Sequence, residues 1–129
     1  MKNKYSFFCD AATVDSSGKV SALGIFTTVN ASQFPATLAE MTFVACIEGR
    51  QSETGKHPFR INFIDDDGNN ILPSIHGEID ISQNSFHANM LLKLKSVTFQ
   101  RPGTYAMDLV VDDQILASES INIVLFQPQ

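Results

Sequence analysis

The sequence predicts an all-β protein of about eight strands. Turn signals rich in Gly, Pro, Asn and Asp recur at intervals of about 8–12 residues. Between them, apolar residues alternate with polar ones at the period of two that half-buried strands show. No stretch has the apolar period of an amphipathic helix. The pattern favours an antiparallel sandwich of immunoglobulin-like type, with a small antiparallel barrel as the alternative.

The first two predicted strands are followed by the longest loop. A strand over about 4–14 ends at Asp15-Ser16-Ser17-Gly18, where Asp and Gly take the places that a type I turn favours. The next strand, about 19–29, has apolar residues on both faces, so it is either covered on both sides or lies where a partner docks. Residues 30–40 form a loop around Phe34-Pro35, and a turn of helix fits residues 36–40.

Two strands and a hairpin turn are predicted in the middle of the chain. The strands cover about 41–50 and about 57–65, and each has large apolar residues at alternate positions. Asp67-Gly68, which follows the second strand, is the strongest hairpin signal of the sequence. A two-residue turn there places Ile64 opposite Ile71.

A clean alternation over about 74–82 predicts a strand with isoleucines on one face and polar residues on the other. With a two-residue turn at Gln83-Asn84, this strand pairs with the one that begins at Phe86. That register brings Asp80 opposite His87, and a slip by one residue would mix apolar with polar positions. The later strand bends near Ser96.

The chain ends in a predicted β-hairpin that begins at Pro102-Gly103. A short acidic turn, Asp112-Asp113-Gln114, joins its two strands. The residues expected on the inner faces are Tyr105, Met107, Leu109, Val111, Ile121, Ile123 and Leu125. Tyr105 is expected to pack in the core, and the alternative is a tyrosine corner, in which its hydroxyl binds a strand connection.

Composition limits the classes of function. The 129 residues are 43% hydrophobic, which is typical of one compact domain over 1–129. The 14 acidic residues outnumber the 9 basic ones, for a net charge of −5, and the basic residues are scattered. Nucleic acid and anionic membranes are therefore excluded as expected partners. The N-terminus lacks the apolar core of a signal peptide, and we expect a cytoplasmic protein.

The two cysteines, Cys9 and Cys46, are expected to be reduced and buried. Immunoglobulin domains place their disulfide beside a buried Trp, and this sequence has no Trp.

A weak metal hypothesis rests on one strand face. His76, Glu78 and Asp80 occupy alternate positions, and the register above adds His87. Imidazole and carboxylate groups on one face can converge on a metal. The ordinary interpretation is a solvated face, because strand neighbours two residues apart are separated by roughly 6.5–7 Å. We therefore predict no metal and no other cofactor.

Other site patterns fail on their spacing. The run Asp65-Asp66-Asp67-Gly68-Asn69-Asn70 begins like an EF-hand loop, but Asn70 stands where Gly is required and His76 where the bidentate Glu belongs. No nucleophile elbow, zinc protease motif, paired-cysteine motif or phosphate-binding glycine loop occurs. The sequence therefore offers no catalytic residue.

Two regions are candidates for an exposed apolar surface that binds a protein partner. One is the loop with Phe34 and Pro35, and the other is the doubly apolar strand with Leu23 and Ile25. The alternative for Phe34 is an intramolecular role, in which its ring closes one end of the sandwich.

Several segments resemble a family of small uncharacterised bacterial proteins. They are Phe8-Cys9-Asp10-Ala11-Ala12-Thr13-Val14-Asp15, Gly18-Lys19-Val20, Ala22-Leu23-Gly24-Ile25-Phe26, Phe34-Pro35, Gly103-Thr104-Tyr105 and Val110-Val111-Asp112. The resemblance covers nearly the whole chain and implies a compact sandwich without a signal peptide and without catalytic residues. Members of that family show Asp-Gly at the last turn, where this chain has Asp112-Asp113-Gln114.

The expected function is that of a small non-enzymatic protein-interaction module of the bacterial cytoplasm. The partner is an unknown protein, and the sequence does not determine the oligomeric state. One alternative is a structural or assembly subunit of a larger complex, such as a phage-related one, in which edge strands add to a neighbour. The other is a metal-dependent enzyme that uses the face of His76, Glu78, Asp80 and His87.

Overall fold

The computed structural model of the chain describes residues 1–127; the predicted domain, 1–129, extends two residues beyond them. The described part forms nine strands and one short 3-10 turn, Gln51–Glu53. The strands are β1 (Lys2–Val14), β2 (Val20–Phe26), β3 (Thr28–Ala31), β4 (Ala36–Glu48), β5 (Gly55–Ile64), β6 (Ile75–Ile81), β7 (His87–Phe99), β8 (Gly103–Val111) and β9 (Gln114–Leu125).

The strands are arranged in two sheets. One sheet has four strands in the order β2-β1-β4-β7, and the other has five in the order β3-β9-β8-β5-β6. All neighbouring strands are antiparallel except β3 and β9, which are parallel. The prediction of an all-β fold is confirmed.

The strand predicted over 19–29 is two strands that belong to different sheets. β2 pairs with β1 in the four-stranded sheet, whereas β3 pairs with β9 in the five-stranded sheet. The chain crosses between the sheets at Thr27, whose carbonyl accepts a hydrogen bond from Asn122 N at 2.9 Å. Periodicity reports which side of a strand is apolar, and it does not report a change of sheet.

Residues 36–40 begin a strand and contain no helical turn. β4 starts at Ala36, which is paired with Phe99 of β7. The expectation of a helical turn was therefore wrong, because pairing along the whole length of β7 supplies the hydrogen bonds that a helical turn would have made locally. Phe34 precedes this strand and joins Pro35 through a cis peptide bond.

The predicted pairing of residues 74–82 with the strand after Phe86 is wrong. β6 pairs with β5, and β7 pairs with β4 in the other sheet. Asp80 lies opposite Lys56, and His87 lies opposite Glu48. The inward face of β6 was predicted correctly, since Ile79 and Ile81 are buried. An amphipathic pattern fixes the buried face of a strand and leaves its hydrogen-bonding neighbour open.

Two hairpin loops share the pattern Asp-x-x-Gly. In each, the Asp carboxylate accepts bonds from the backbone N–H groups two and four residues later: Ser17 and Lys19 for Asp15, and Asp67 and Asn69 for Asp65. Gly18 and Gly68 adopt positive φ angles of 84° and 82°. The Asp carboxylate therefore organises a wider loop than a two-residue turn.

The wider second loop shifts the predicted register by one residue. Ile64 bridges Asn70, whereas a two-residue turn at Asp67-Gly68 had placed Ile64 opposite Ile71. The turn was predicted at the right position but with the wrong length.

Four aromatic rings pack one against the next in the core between the sheets. Phe8 of β1 packs on Phe63 of β5 with ring centroids 5.9 Å apart. Phe63 meets Phe99 of β7 edge to face at 5.9 Å, and Phe99 meets Tyr105 of β8 at 4.9 Å. Each of these contacts joins one sheet to the other. All four side chains are at most 3% exposed, so the rings form the centre of the sandwich.

Tyr105 combines the two roles considered for it. Its ring is buried in the core, and its hydroxyl donates a hydrogen bond of 2.6 Å to the carbonyl oxygen of Arg101. The bond spans four residues and fixes the connection between β7 and β8, as a tyrosine corner does.

We expect Tyr105→Phe to lower the free energy of unfolding by about 1 to 2 kcal/mol, because it removes the hydroxyl and leaves the Arg101 carbonyl without this donor. Urea denaturation measures the change. Tyr5→Phe is the matched control, since Tyr5 is the other tyrosine and its side chain is exposed. Equal stability of both variants and the wild type would contradict the role of this bond.

The last hairpin turn, Asp112-Asp113, has two residues with positive φ, 50° and 62°. Val111 pairs with Gln114 across it. This is the geometry of a type I′ turn, which favours Asn-Gly or Asp-Gly. Two non-glycine residues therefore hold a left-handed conformation here, which confirms that this turn departs from the usual chemistry.

We expect Asp113→Gly to raise the free energy of unfolding by about 0.5 to 1 kcal/mol, because glycine adopts positive φ without a steric penalty. The matched variant Asp112→Gly should give less or no gain, because Asp112 also binds the ring of His57. Thermal or urea denaturation of both variants checks this. A gain that is larger at Asp112 than at Asp113 would disprove it.

Candidate protein-binding face

The outer side of the four-stranded sheet carries apolar side chains from all four of its strands. We call it the apolar face. Its members are Tyr5, Phe7 and Cys9 of β1, Leu23 and Ile25 of β2, Val44 and Cys46 of β4, and Leu91 of β7.

Strand register brings these residues together. Cys9 is paired with Ile25, and Phe7 is paired with Val44. Val44 is paired in turn with Leu91. Paired residues lie on the same side of a sheet, so the four strands contribute to one continuous apolar surface.

Some side chains of the apolar face are buried by their neighbours, and others are exposed to water. Val44 and Cys46 are at most 4% exposed although they point away from the core. Tyr5 and Phe7 stack above β1 with ring centroids 6.0 Å apart. Leu23 and Ile25, on the edge strand, are 74% and 60% exposed. Large apolar side chains therefore remain in contact with water on this side of the sandwich.

The outer side of the five-stranded sheet is polar by comparison. Paired residues there include Asn62 with Asp108 and Asp108 with Ser118, and Ser118 donates a hydrogen bond of 2.6 Å to Asp108. A sandwich normally keeps both outer sides polar. The difference between the two sides marks the apolar face as the candidate binding surface.

Part of the apolar face was missed in the sequence, although a signal was present. Leu23 and Ile25 were identified because β2 is apolar at successive positions. The same signal occurs at Phe7-Phe8-Cys9 and at Met90-Leu91-Leu92. Successive apolar residues in a strand indicate that both of its sides avoid water.

The sequence-predicted loop residues lie away from this face. Phe34 is half-buried and packs against the core cluster, which is the intramolecular role considered for it. Pro35 is exposed next to it. Of the four residues named for a partner surface, Leu23 and Ile25 belong to the apolar face.

Both thiols on the apolar face are free and buried. Burial raises the pKa of Cys9 and of Cys46 above the usual range of a thiol. They are thus protonated at neutral pH, and a protonated thiol is neither a good nucleophile nor a metal ligand. The thiols act here as small apolar groups.

A histidine–aspartate pair lies on the other sheet. His57 Nδ1 is 2.7 Å from Asp112 Oδ2, and His57 Nε2 is 2.6 Å from the carbonyl oxygen of Glu53. Such a pair forms part of a catalytic triad only when the second ring nitrogen faces a nucleophile. Here that nitrogen donates to a backbone carbonyl, so His57 holds three segments together. Its partner is 55 residues away, and no sequence pattern revealed it.

The structure separates the residues of the metal hypothesis. His76, Glu78 and Asp80 share the exposed side of β6, where they lie opposite Arg60, Pro58 and Lys56. His87 belongs to the other sheet. The neighbour that was expected to complete the set is therefore absent from this face.

Among the described residues, Asp65, Asp66 and Asp67 could together approach a cation. The guanidinium of Arg101 occupies this position, with Nη2 at 2.8 Å from Asp66 and 2.7 Å from Asp67. It lowers the pKa of Asp66. The protein itself thus places a positive charge among the three carboxylates.

One family model matches residues 4–124, and it describes a family of unknown function, DUF6941. This chain belongs to the DUF6941 family. The resemblance to an uncharacterised family is thereby confirmed. No curated protein matches this DUF6941 chain.

A solved structure similar to the DUF6941 chain is that of the Pseudomonas fluorescens alkylpurine DNA glycosylase AlkC bound to DNA containing an abasic site analog. The likeness covers 92% of this chain and 30% of that one, at 9% sequence identity and a TM-score of 0.43. The DUF6941 chain thus spans less than a third of that protein, and no function is transferred from it.

Within residues 1–127, the DUF6941 structure has no helix with the length and apolar character needed to cross a membrane.

We expect the contribution of His57 to stability to fall as pH rises. Its hydrogen bonds to Glu53 and Asp112 raise its pKa in the folded protein. The stabilisation is complete below the pKa of an unfolded histidine, about 6.5. It is lost as pH passes through the higher pKa of the folded state.

Urea denaturation of the wild type and His57→Gln between pH 5.5 and 9 measures this effect. The difference in unfolding free energy should be largest at the acidic end and should shrink with rising pH. The control is His76→Gln on the exposed side of β6. A difference for His57→Gln that stays constant or grows with pH would contradict the assignment.

Proposed function

We propose that the chain is a non-enzymatic protein-interaction module that binds a protein partner through the apolar face. The observation that carries the proposal is the exposure of Leu23 and Ile25 on the same outer sheet surface as the Tyr5–Phe7 stack. Burying such a patch against a partner removes apolar surface from water. Each Å² of apolar surface buried stabilises the complex by about 25 cal/mol.

The partner that fits this surface is itself flat and mainly apolar. Charged residues lie at the margin of the apolar face: Glu48 pairs with Lys2, and Glu40 pairs with Lys93. Protein interfaces have this organisation, with an apolar centre and a polar rim. The net charge of −5 makes nucleic acid an unfavourable partner.

A non-enzymatic role is supported by the state of the reactive groups. Both thiols are buried, and both nitrogens of His57 bind acceptors. The carboxylates of the Asp65–Asp67 loop bind Arg101. A catalytic group must be able to reach substrate, and these groups are already engaged within the fold.

We also assign the sandwich to the immunoglobulin-like type. Strands A, B and E of that type share one sheet, and strands C, F and G share the other. β1, β4 and β7 correspond to the first set, and β5, β8 and β9 to the second, in the same chain order. Tyr105 at the start of β8 matches the tyrosine corner of strand F. Immunoglobulin-like domains commonly serve as binding modules, and we place this one in the bacterial cytoplasm.

A second candidate is a structural or assembly subunit that joins its neighbour by strand addition. The observation in favour is that β2 is an edge strand with exposed apolar residues. An unprotected edge can accept another strand.

Affinity capture from the native cell, with identification by mass spectrometry, tests the proposed function. The test variant is Tyr5→Lys with Leu91→Lys, which places two charges in the apolar face while their aliphatic stems still cover Val44. The control is Ile115→Lys, because Ile115 is 65% exposed but lies on β9 of the other sheet. The captured partner should decrease at least about tenfold with the test variant and stay unchanged with the control, as expected when an interface centre is disrupted.

Circular dichroism of each variant shows whether the fold is kept. The proposal fails if the folded double variant captures the same proteins as the wild type, or if Ile115→Lys abolishes capture as well.

A further inference from the structure

The strand β1 leaves its neighbour β4 part-way along the four-stranded sheet. β1 is paired with β4 from Lys2 to Cys9, and residues 10–14 are paired with β2 alone. At the tip of the β1–β2 hairpin, the carbonyl oxygen of Gly18 accepts a hydrogen bond of 3.1 Å from Asn89 Nδ2 of β7. Since β4 lies between β1 and β7 in the sheet, the hairpin bends across the outer side of β4. The bend leaves part of β4 without a neighbour on one side.

The open edge of β4 covers residues 36–41, which are paired with β7 on their other side. β3 also has an open edge, because it ends the five-stranded sheet and pairs only with β9. The loop that joins β3 to β4 is short, residues 32–35. No backbone hydrogen bond joins the two strands anywhere in residues 1–127. Two unpaired strand edges therefore border one gap.

Two adjoining cavities occupy this gap, and we call them together the β3–β4 groove. Their volumes are about 330 and 340 Å³, and Val29 of β3 and Leu38 of β4 line both. Both side chains pack against the core cluster, so the floor of the groove is apolar. Ile25 lines the groove and also belongs to the apolar face, whereas Tyr5 and Leu91 line neither cavity. The groove is therefore a second site beside the apolar face.

The width of the gap suits one additional strand. Strands that pair directly have Cα atoms about 4.5–5.5 Å apart, whereas hardly any Cα atoms of β3 and β4 lie within 8 Å of each other. A strand placed between two others lies about 4.8 Å from each of them. Separation beyond the reach of direct pairing is thus what an inserted strand requires.

One end of the β3–β4 groove is acidic. Asp10 and Glu40 line the first cavity, and no basic residue lines either cavity in the described part of the chain. Glu40 binds Lys93 at 3.5 Å, but Asp10 takes part in none of the ion pairs found within residues 1–127. A side chain at Gly24 would collide with the Asp10 carboxylate, so the glycine leaves room for it. This end of the groove favours a ligand with a positive charge.

We infer that the β3–β4 groove binds an extended segment of a protein partner as an added strand, about six residues long to match the open edge of β4. The segment takes the place that β1 leaves, antiparallel to β4, and pairs with β3 on its other side. Its alternate apolar side chains contact Val29 and Leu38, and a lysine or arginine reaches Asp10. The inference goes beyond the proposed function, because it concerns a second site.

An extended main chain is the ligand that matches both edges of the groove. Each edge presents N–H and C=O groups at the repeat of a strand, about 6.6 Å for every second residue. A main chain in the same conformation supplies donors and acceptors at this repeat on both of its sides. An ordinary sheet edge offers one such row. The β3–β4 groove offers two rows across an apolar floor, which is specific to this part of the fold.

Selection of a random heptapeptide library on the immobilised wild-type protein tests the inference. The enriched peptides should alternate apolar residues and carry one lysine or arginine. Hydrogen exchange with a synthetic enriched peptide then locates its binding site. Amides of residues 28–31 and 36–41 that exchange in the free protein should become protected, because they bind the main chain of the peptide.

Methylation of the peptide backbone distinguishes strand addition from binding by side chains. N-methyl groups on alternate residues remove the hydrogen-bond donors from one side of a strand and keep every side chain. A peptide that pairs with both edges should lose at least about tenfold in affinity from either alternate set. Binding that tolerates either set would show that one edge or neither is used, and would overturn the inference.

Exchange of charge tests the contact with Asp10. Asp10→Lys should weaken binding of the enriched peptide by about fivefold or more, and a peptide with Glu in place of its basic residue should regain affinity for this variant. Asp80→Lys is the matched control, because Asp80 is exposed on β6 of the other sheet, and it should bind like the wild type. Circular dichroism checks that both variants fold.

The inference is overturned if the library yields no binder, or if enriched peptides leave residues 28–31 and 36–41 unprotected. It is overturned as well if sedimentation shows a wild-type dimer that the peptide dissociates, because a second copy then occupies the groove. Tyr5→Lys with Leu91→Lys should bind the peptide like the wild type. If this variant binds the peptide and still captures the same proteins, the proposed function alone fails. If it loses capture and no peptide binds the wild type, the groove alone fails.

Discussion

The contact between aromatic rings of the two sheets is the constraint on which the rest of the structure depends. Phe8 and Phe99 come from the four-stranded sheet, and Phe63 and Tyr105 come from the five-stranded sheet. Their edge and face contacts fix the distance and relative position of the sheets. Because Phe8 must point into this core, its neighbours Phe7 and Cys9 must point outward. The position of Phe7 and Cys9 on the outer side is thus a direct geometric consequence of how the core is packed.

On the outer side of the four-stranded sheet, apolar residues come from β1, β2, β4 and β7. Val44 and Cys46 are covered there by side chains of their own sheet, and Leu23 and Ile25 are left exposed at its edge. Covering such an exposed apolar surface with a partner lowers the free energy of the protein. Binding of the proposed partner to this surface requires no rearrangement of the core.

Local chemistry explains why some turns were predicted well and others poorly. The Asp15 and Asp65 loops depend on an Asp carboxylate that binds backbone N–H groups close in sequence, so the position of each turn was readable. The loop length was not, because a turn of two residues and one of three can share the same Asp-Gly pair. The register beyond Asp67-Gly68 was therefore predicted one residue off. At Asp112-Asp113 the sequence showed residues that rarely form a two-residue hairpin turn. The hydrogen bond between His57 and Asp112 could not be read from any local pattern.

By itself the sequence determined the all-β class, the inward face of most strands and the buried state of both cysteines, because side-chain alternation and apolar content act within a few residues. It also identified Leu23 and Ile25 as residues without a clear place in a core. Only the tertiary structure decided which strands are neighbours. β6 joined β5, β7 joined β4, and residues 19–29 divided between the sheets. These choices depend on contacts between residues far apart in the chain, and the alternation of a single strand is the same whichever neighbour it meets.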